Sequence, residues 1–164
     1  LEEVTFRRTV IPVQELLDAA GKYFKKLMKN RPERIELEIE SMEAKVIGDV
    51  NQLRFLLENL IDEALTVRED GVIRLQARKD NEYIRFLFTD TRREKSVEEL
   101  NQLFYPNLAR MTSGEKGELR GTEYLVCKQI IRDHDEFAGR RGCRINAEPA
   151  EGGGFTVYFT IPRR

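Results

Sequence analysis

The chain has 164 residues, of which 40% are hydrophobic and 35% charged. That is the make-up of one globular domain with a salt-rich surface, large enough to bury roughly 70% of its unfolded area. A formal net charge of −1 lacks the clustered basic excess that phosphate neutralisation requires, which argues against nucleic acid as a partner.

In chain order, "VTFRRTVIP" is rich in β-formers and stops at Pro12. "VQELLDAAGKYFKKLMKN" places Val13, Leu16, Leu17, Ala20, Phe24, Leu27 and Met28 at helical spacing and ends before Pro32. "RIELEIE" alternates apolar and charged residues, as a strand with one wet face does. "AKVIGD" is a short second strand, and Asp49 is placed to cap the helix that follows, "LRFLLENLIDEALT". "GVIRLQARKD" and "NEYIRFLFTD" form a hairpin turning at Asp80-Asn81. "SVEELNQLFYP" is a short helix with Ser96 and Glu99 spaced as a capping box. "NLARMTSGEKGELRG" has turn composition and predicts a mobile, lid-like loop at about 107–120. "TEYLVCKQIIRDH" returns to helix, and "CRINAEP" and "GFTVYFTIP" are strands joined through the "EGGG" turn. This order predicts a two-layer α+β sandwich over residues 1–164, one mixed, mostly antiparallel sheet with helices on one face and polar residues on the other.

Cys127 and Cys143 have no CxxC or His/Cys spacing, and His134 is the single histidine, so a zinc site is not expected. The densest basic run, "GRRGCR" at Gly139 to Arg144, is short and reads as a solvated turn. No apolar run approaches the roughly 20 residues of a membrane span, and no signal peptide opens the chain. The expectation is a cytoplasmic domain without direct membrane contact.

On a helical wheel Asn59 and Glu63 lie on the same flank of the apolar stripe of Leu53, Leu56, Leu57, Leu60 and Ala64. They are either boundary polar residues or residues that face a ligand. Asp90 ends the strand "YIRFLFTD", where an aspartate either caps the following turn or reads a ligand.

Taken together, "GDVNQLRFLLENLIDEAL", "FTD", "NQLFYP", "KQIIRDH" and "GCRINAEPAEGGGFTVYFTIP" resemble, in order, the landmarks of the ATP-binding domain of sensor histidine kinases. Those kinases share the Bergerat fold with gyrase, the Hsp90 chaperones and MutL. The N-box pattern of that family is matched at Asp49, Leu53, Asn59, Leu60 and Ala64. The resemblance implies ATP and Mg²⁺ as cofactors, with Asn59 and Glu63 as Mg²⁺ ligands and Asp90 as the reader of adenine. It implies as partners the dimerisation and phosphoacceptor helices of the same parent protein and a response regulator. The protein would then be cytoplasmic, or the cytoplasmic part of a membrane-anchored sensor.

The departures from that pattern are chemical. Glu63 stands for the second N-box Asn and adds negative charge beside a triphosphate, while Thr66 stands for the family lysine. Arg92 and Glu94 replace the glycines that follow the adenine-reading aspartate, and their side chains should crowd a purine. Of the three glycines of the second glycine box only Gly121 remains, with Leu119 and Glu123 in the other places. Gly114 and Gly117 are retained in the loop before it, and Lys116 or Arg120 could supply positive charge there. His134 matches a structural histidine near the end of the last helix, not a phosphoacceptor. The expected function is an ATP-binding-type domain of a two-component sensor histidine kinase-like protein with weakened or lost nucleotide binding. The alternative is a non-catalytic, anti-sigma-like interaction module on the same fold.

Overall fold

The computed structural model describes residues 5–106 and 121–164; the predicted lid-like loop lies outside the described residues. The order of elements is β1 (Thr9–Pro12), α1 (Val13–Met28), β2 (Ile35–Ile39), β3 (Lys45–Gly48), α2 (Val50–Ala64), β4 (Gly71–Asp80), β5 (Tyr83–Asp90) and α3 (Val97–Gln102). Then follow α4 (Glu123–Phe137), β6 (Ile145–Pro149) and β7 (Phe155–Pro162).

The strands do not make one sheet, as the sequence suggested. β2-β4-β5-β7-β6 form a five-stranded sheet in which only β2 and β4 run parallel, and β1 pairs with β3 in a separate antiparallel ribbon. The ribbon separates because α1 starts immediately after Pro12, which carries no N–H for a ladder. Val13, left with an unsatisfied helix N-terminal donor, gives its N–H to Ala44 O at 2.9 Å across the ribbon end. The β4–β5 turn is Asn81-Glu82, one residue later than expected, because Asp80 still pairs with Tyr83 and Asn81 takes the positive φ of 54°.

The helical layer buries the apolar stripe that the spacing of α2 predicted. Leu53, Leu56, Leu57, Leu60, Ile61 and Ala64 are each at most 1% exposed, and each large side chain contributes about 1.5–3 kcal/mol by leaving water. They meet Leu16, Leu17 and Ala20 of α1, Cys127, Ile130 and Ile131 of α4, and the inner face of the sheet, where Phe86 stacks on Phe159 at 4.9 Å. The outer face is polar, as expected. Arg78 bonds Glu40 at 3.0 Å, Arg74 lies 3.7 Å from Glu38, and Arg85 covers the Tyr158 ring. Among the described residues no helix is long and apolar enough to cross a membrane.

The helix ends explain how the site is held. Asp49 caps α2 by accepting from Gln52 N at 3.1 Å through Oδ1, and its Oδ2 accepts from Arg7 N at 2.9 Å. The Asp49 N–H donates to Nε2 of the fully buried His134, whose Nδ1–H can then only donate, to Ile130 O at 2.8 Å. His134 therefore ties the end of α4 to the start of α2. α3 carries the predicted reciprocal capping box between Ser96 and Glu99.

Candidate functional site

The candidate residues of the sequence lie at one end of the sheet, where α2, the end of β5 and the start of α4 meet. Asn59 and Glu63 occupy successive turns of α2; Asp90 is the last residue of β5; Gly121, with φ of 76°, stands just before α4. The antiparallel register places Asp90 between Ile73 of β4 and Phe155 of β7. Gly154 makes this closeness achievable, since a Cβ there would lie 2.1 Å from Asp90 O and its φ is 85°.

Two arginines that follow Asp90 fill the space between these elements. Asp90 and the Arg92 side chain are each 1% exposed and form a two-pronged pair, Nε to Oδ1 and Nη2 to Oδ2, both at 3.0 Å. The rest of the Arg92 fork donates to Ala64 O at 2.7 Å, the last carbonyl of α2, and to Val67 O and Glu69 O at 2.9 Å in the segment that follows it. The Arg92 N–H also donates to Asp90 Oδ1 at 3.0 Å, the Asx geometry of a turn-capping aspartate.

Arg93 continues the chain of charges. Its Nε donates to Asp90 Oδ2 at 3.1 Å, and its two terminal nitrogens grip Glu63 at 2.8 and 3.3 Å. Glu63 Oε2 also accepts from the Tyr124 hydroxyl of α4 at 2.6 Å. Tyr124 is 3% exposed and meets Phe104 edge-to-face at 5.7 Å. Asn59 stands apart from this network. Its Nδ2 turns back to Phe55 O at 2.8 Å, the carbonyl four residues earlier.

Electrostatics follows from these contacts. Burial pushes the Asp90 carboxyl up, but the hydrogen bonds and charge of Arg92, with Arg93, win and hold it below the usual range. Burial likewise lowers Arg93, and the bond and charge of Glu63 more than reverse that. Burial and then Glu63 raise Tyr124, which stays a phenol donor. The result is an alternating string, Arg92–Asp90–Arg93–Glu63–Tyr124, in which every charge has an opposite neighbour.

Whether adenine and Mg²⁺ fit this arrangement depends on free lone pairs. Adenine would need an Asp90 oxygen as acceptor for its amino group, yet both are engaged by guanidinium groups in a water-excluded place. Mg²⁺ takes oxygen ligands in octahedral geometry, and both Glu63 oxygens are bound by Arg93 and Tyr124. At the start of α4, Glu123 sits in the first turn, with a buried Oε2 that has no hydrogen-bond partner among the described residues, where an incoming phosphate would meet like charge. The residues in this arrangement do not fit a Mg²⁺–nucleotide. Nor does the recess of about 740 Å³ between α1 and β2 include any residue of the string.

The sequence singled out Arg92 for steric crowding. Its salt bridge to Asp90 and the parts played by Arg93 and Tyr124 went unread. The available signal was the run "DTRRE", two cations directly after a strand-terminal acid.

A search of curated protein sequences found no match. Solved structures share the fold. A mycobacterial sensor histidine kinase, MprB, superposes with a TM-score of 0.72 at 18% identity, covering 96% of this chain and 99% of that one. The nucleotide-free catalytic domain of histidine kinase ThkA gives 0.73 at 21% identity, covering 98% of both chains. ThkA in complex with the response regulator protein TrrA gives 0.72 at 20%, covering 99% of this chain and 44% of that one. At these identities the likeness is one of fold. The model of the family described as "Histidine kinase-, DNA gyrase B-, and HSP90-like ATPase" matches residues 48–164, more than half of the sequence, and the chain belongs to that family.

Proposed function

We propose that this domain serves a two-component sensor histidine kinase-like protein with its nucleotide binding weakened or lost. The observation that carries the reading is the double claim on Asp90 and Glu63 by Arg92 and Arg93. In this reading Asn59, Glu63, Asp90 and Gly121 mark the ancestral ligand positions, with Asn59 and Glu63 on the Mg²⁺ side, and the arginines stand in their ligand's place. The partners are the dimerisation and phosphoacceptor helices of the parent protein and a response regulator, in the cytoplasm or on the cytoplasmic side of a membrane-anchored sensor.

The same closed site also favours a second reading, a non-catalytic interaction module of the anti-sigma kind. A domain that takes no nucleotide acts through its surface. A histidine-bearing helix pair elsewhere in the parent protein would favour the first reading, and its absence the second.

Titration with a fluorescent ATP analogue, with and without Mg²⁺, tests the shared claim. The expected result is no saturation at millimolar analogue. Micromolar, Mg²⁺-dependent binding that Asp90→Asn and Asn59→Ala abolish would contradict it.

A further inference from the structure

We propose a second site, an anion-binding recess for an organic phosphate, at the opposite end of the sheet. β5 and β7 pair from Asp90–Phe155 at one end to Tyr83–Pro162 at the other. Seven steps of about 3.4 Å set the two ends roughly 24 Å apart, so the recess is separate from the arginine-filled site.

Segments distant in sequence build it. Arg8 and Val10 come from the approach to β1 and from β1 itself, Ile47 from β3, Gly139 and Arg140 from the turn after α4, and Arg163 from the end of β7. Together they line a recess of about 370 Å³, within the range of small-molecule sites. Val10 pairs with Ile47 across the ribbon and both stand on its outward face, and Arg8, just before β1, lines the same recess. Ile11 and Val46, of the other parity, are buried. The floor is thus apolar and the wall cationic. Val10 is 41% exposed, a large β-branched side chain that meets water in the recess.

The cations are unbalanced. The arginines of the outer sheet face are matched to acids, as in Arg78–Glu40 and Arg85–Asp80. Within the recess only Arg140 has an acid, Glu82, and Arg141 beside it pairs with Asp135. Neither Arg8 nor Arg163 has an acid within ion-pair distance among the described residues. Lys45 and Arg164 add to the positive field, since Arg164 N bonds Lys45 O at 3.0 Å. On a chain of net charge −1 this is a local reversal of sign.

Arg8 is also seated. A Cβ on Gly139 would lie 2.8 Å from Arg8 Nη1, and the φ of Gly139 is 96°. The bare glycine backbone is what lets the guanidinium lie against the turn. Planar guanidinium forks lining one recess with an apolar floor match a phosphate ester, whose oxygens take charge-assisted N–H bonds while its organic part covers Val10 and Ile47.

Such an ester could be a free metabolite or a lipid headgroup, and two arms separate them. In the first, inorganic pyrophosphate is titrated into the ¹⁵N-labelled protein. In the second, the protein is sedimented with phosphatidylglycerol vesicles and, as reference, phosphatidylcholine vesicles. The expected outcome in solution is saturable shifts of the Val10, Ile47 and Gly139 amides with a Kd below about 1 mM, weakened about tenfold by Arg8→Ala or Arg163→Ala. Arg132→Ala, on the exposed face of α4, should leave binding unchanged. Binding to phosphatidylglycerol vesicles alone, lost in the same two variants, would support the site with a lipid headgroup as ligand. Thermal melts confirm that the variants fold. No saturation at about 10 mM pyrophosphate together with no vesicle binding, or binding indifferent to Arg8 and Arg163, would overturn the proposal.

Discussion

The Arg92–Asp90 pair is the part of the structure where one substitution should cost most. Arg92→Ala strands a carboxylate that is 1% exposed and loses two bonds of 3.0 Å. Removing one partner of a buried pair costs about 3–5 kcal/mol, because the remaining charge keeps its desolvation penalty. Two features of the structure adjust that range. Arg93 retains its 3.1 Å bond to Asp90 Oδ2, which softens the loss. Ala64 O keeps the Val67 N–H at 3.3 Å, and the carbonyls of Val67 and Glu69 lie near water and recover a donor. The expected loss is about 3–4 kcal/mol, or a fall in Tm of roughly 6–16 °C for a domain of this size. Urea unfolding measures it, provided the slope with denaturant is unchanged. Asp90→Asn completes a double-mutant cycle. The double variant should be less destabilised than the sum of the singles, by about 1.5–3 kcal/mol, because no charge is stranded in it. A loss for Arg92→Ala below about 1 kcal/mol, or strict additivity with Asp90→Asn, would refute the reasoning that buried, paired charge holds this end of the sheet.

Acid should weaken the domain in a defined window. Burial holds the His134 imidazole below its ordinary pKa, so the unfolded chain takes the proton first. The His134 contribution is therefore complete above about pH 6.5 and declines as pH falls toward the folded value, by up to about 1.4 kcal/mol per pH unit. Asp90, also held low in the fold, contributes above about pH 3.9 and is lost only below it. Urea melts of wild type at pH 7.5 and 5.5 should differ, and His134→Gln should remove most of that difference; an equal difference in the variant contradicts the assignment. Gly154→Ala should be among the worst single glycine changes, since Gly154 is buried, the methyl meets Asp90 O at 2.1 Å and φ is 85°. A loss of at least about 2 kcal/mol in urea is expected, whereas Gly152→Ala, with nothing near its Cβ, should show only the backbone strain of its positive φ.

The parts of the fold set by local physics were legible in the sequence. The period of Leu53 to Ala64, the Asp49 cap, the Ser96–Glu99 box and the alternation in "VIRLQAR" are short-range statements about which face is wet, and all appear in the structure. The separate β1–β3 ribbon was not legible, because its pairs join residues on either side of α1 and β2, from Pro12 with Lys45 to Thr9 with Gly48. The site was legible in position but not in state. Asn59 and Glu63 were read on one flank of α2 and Asp90 at the end of β5, and those are their places in the chain's fold. That Arg93 joins two of them, and that Tyr124 reaches Glu63 across 61 residues, depends on where a turn places long side chains in three dimensions. A helical wheel carries no such information.

The central claim is that Arg92 and Arg93 hold the acids a nucleotide would need. Arginine Nε–H resonances report it directly, since buried, salt-bridged guanidinium protons exchange slowly and respond to the loss of their acceptor. With Mg²⁺ and a non-hydrolysable ATP analogue added in millimolar excess, the Nε–H signals of Arg92 and Arg93 should stay in place. Their displacement in saturable fashion, with Asp90 released to the analogue, would contradict the account.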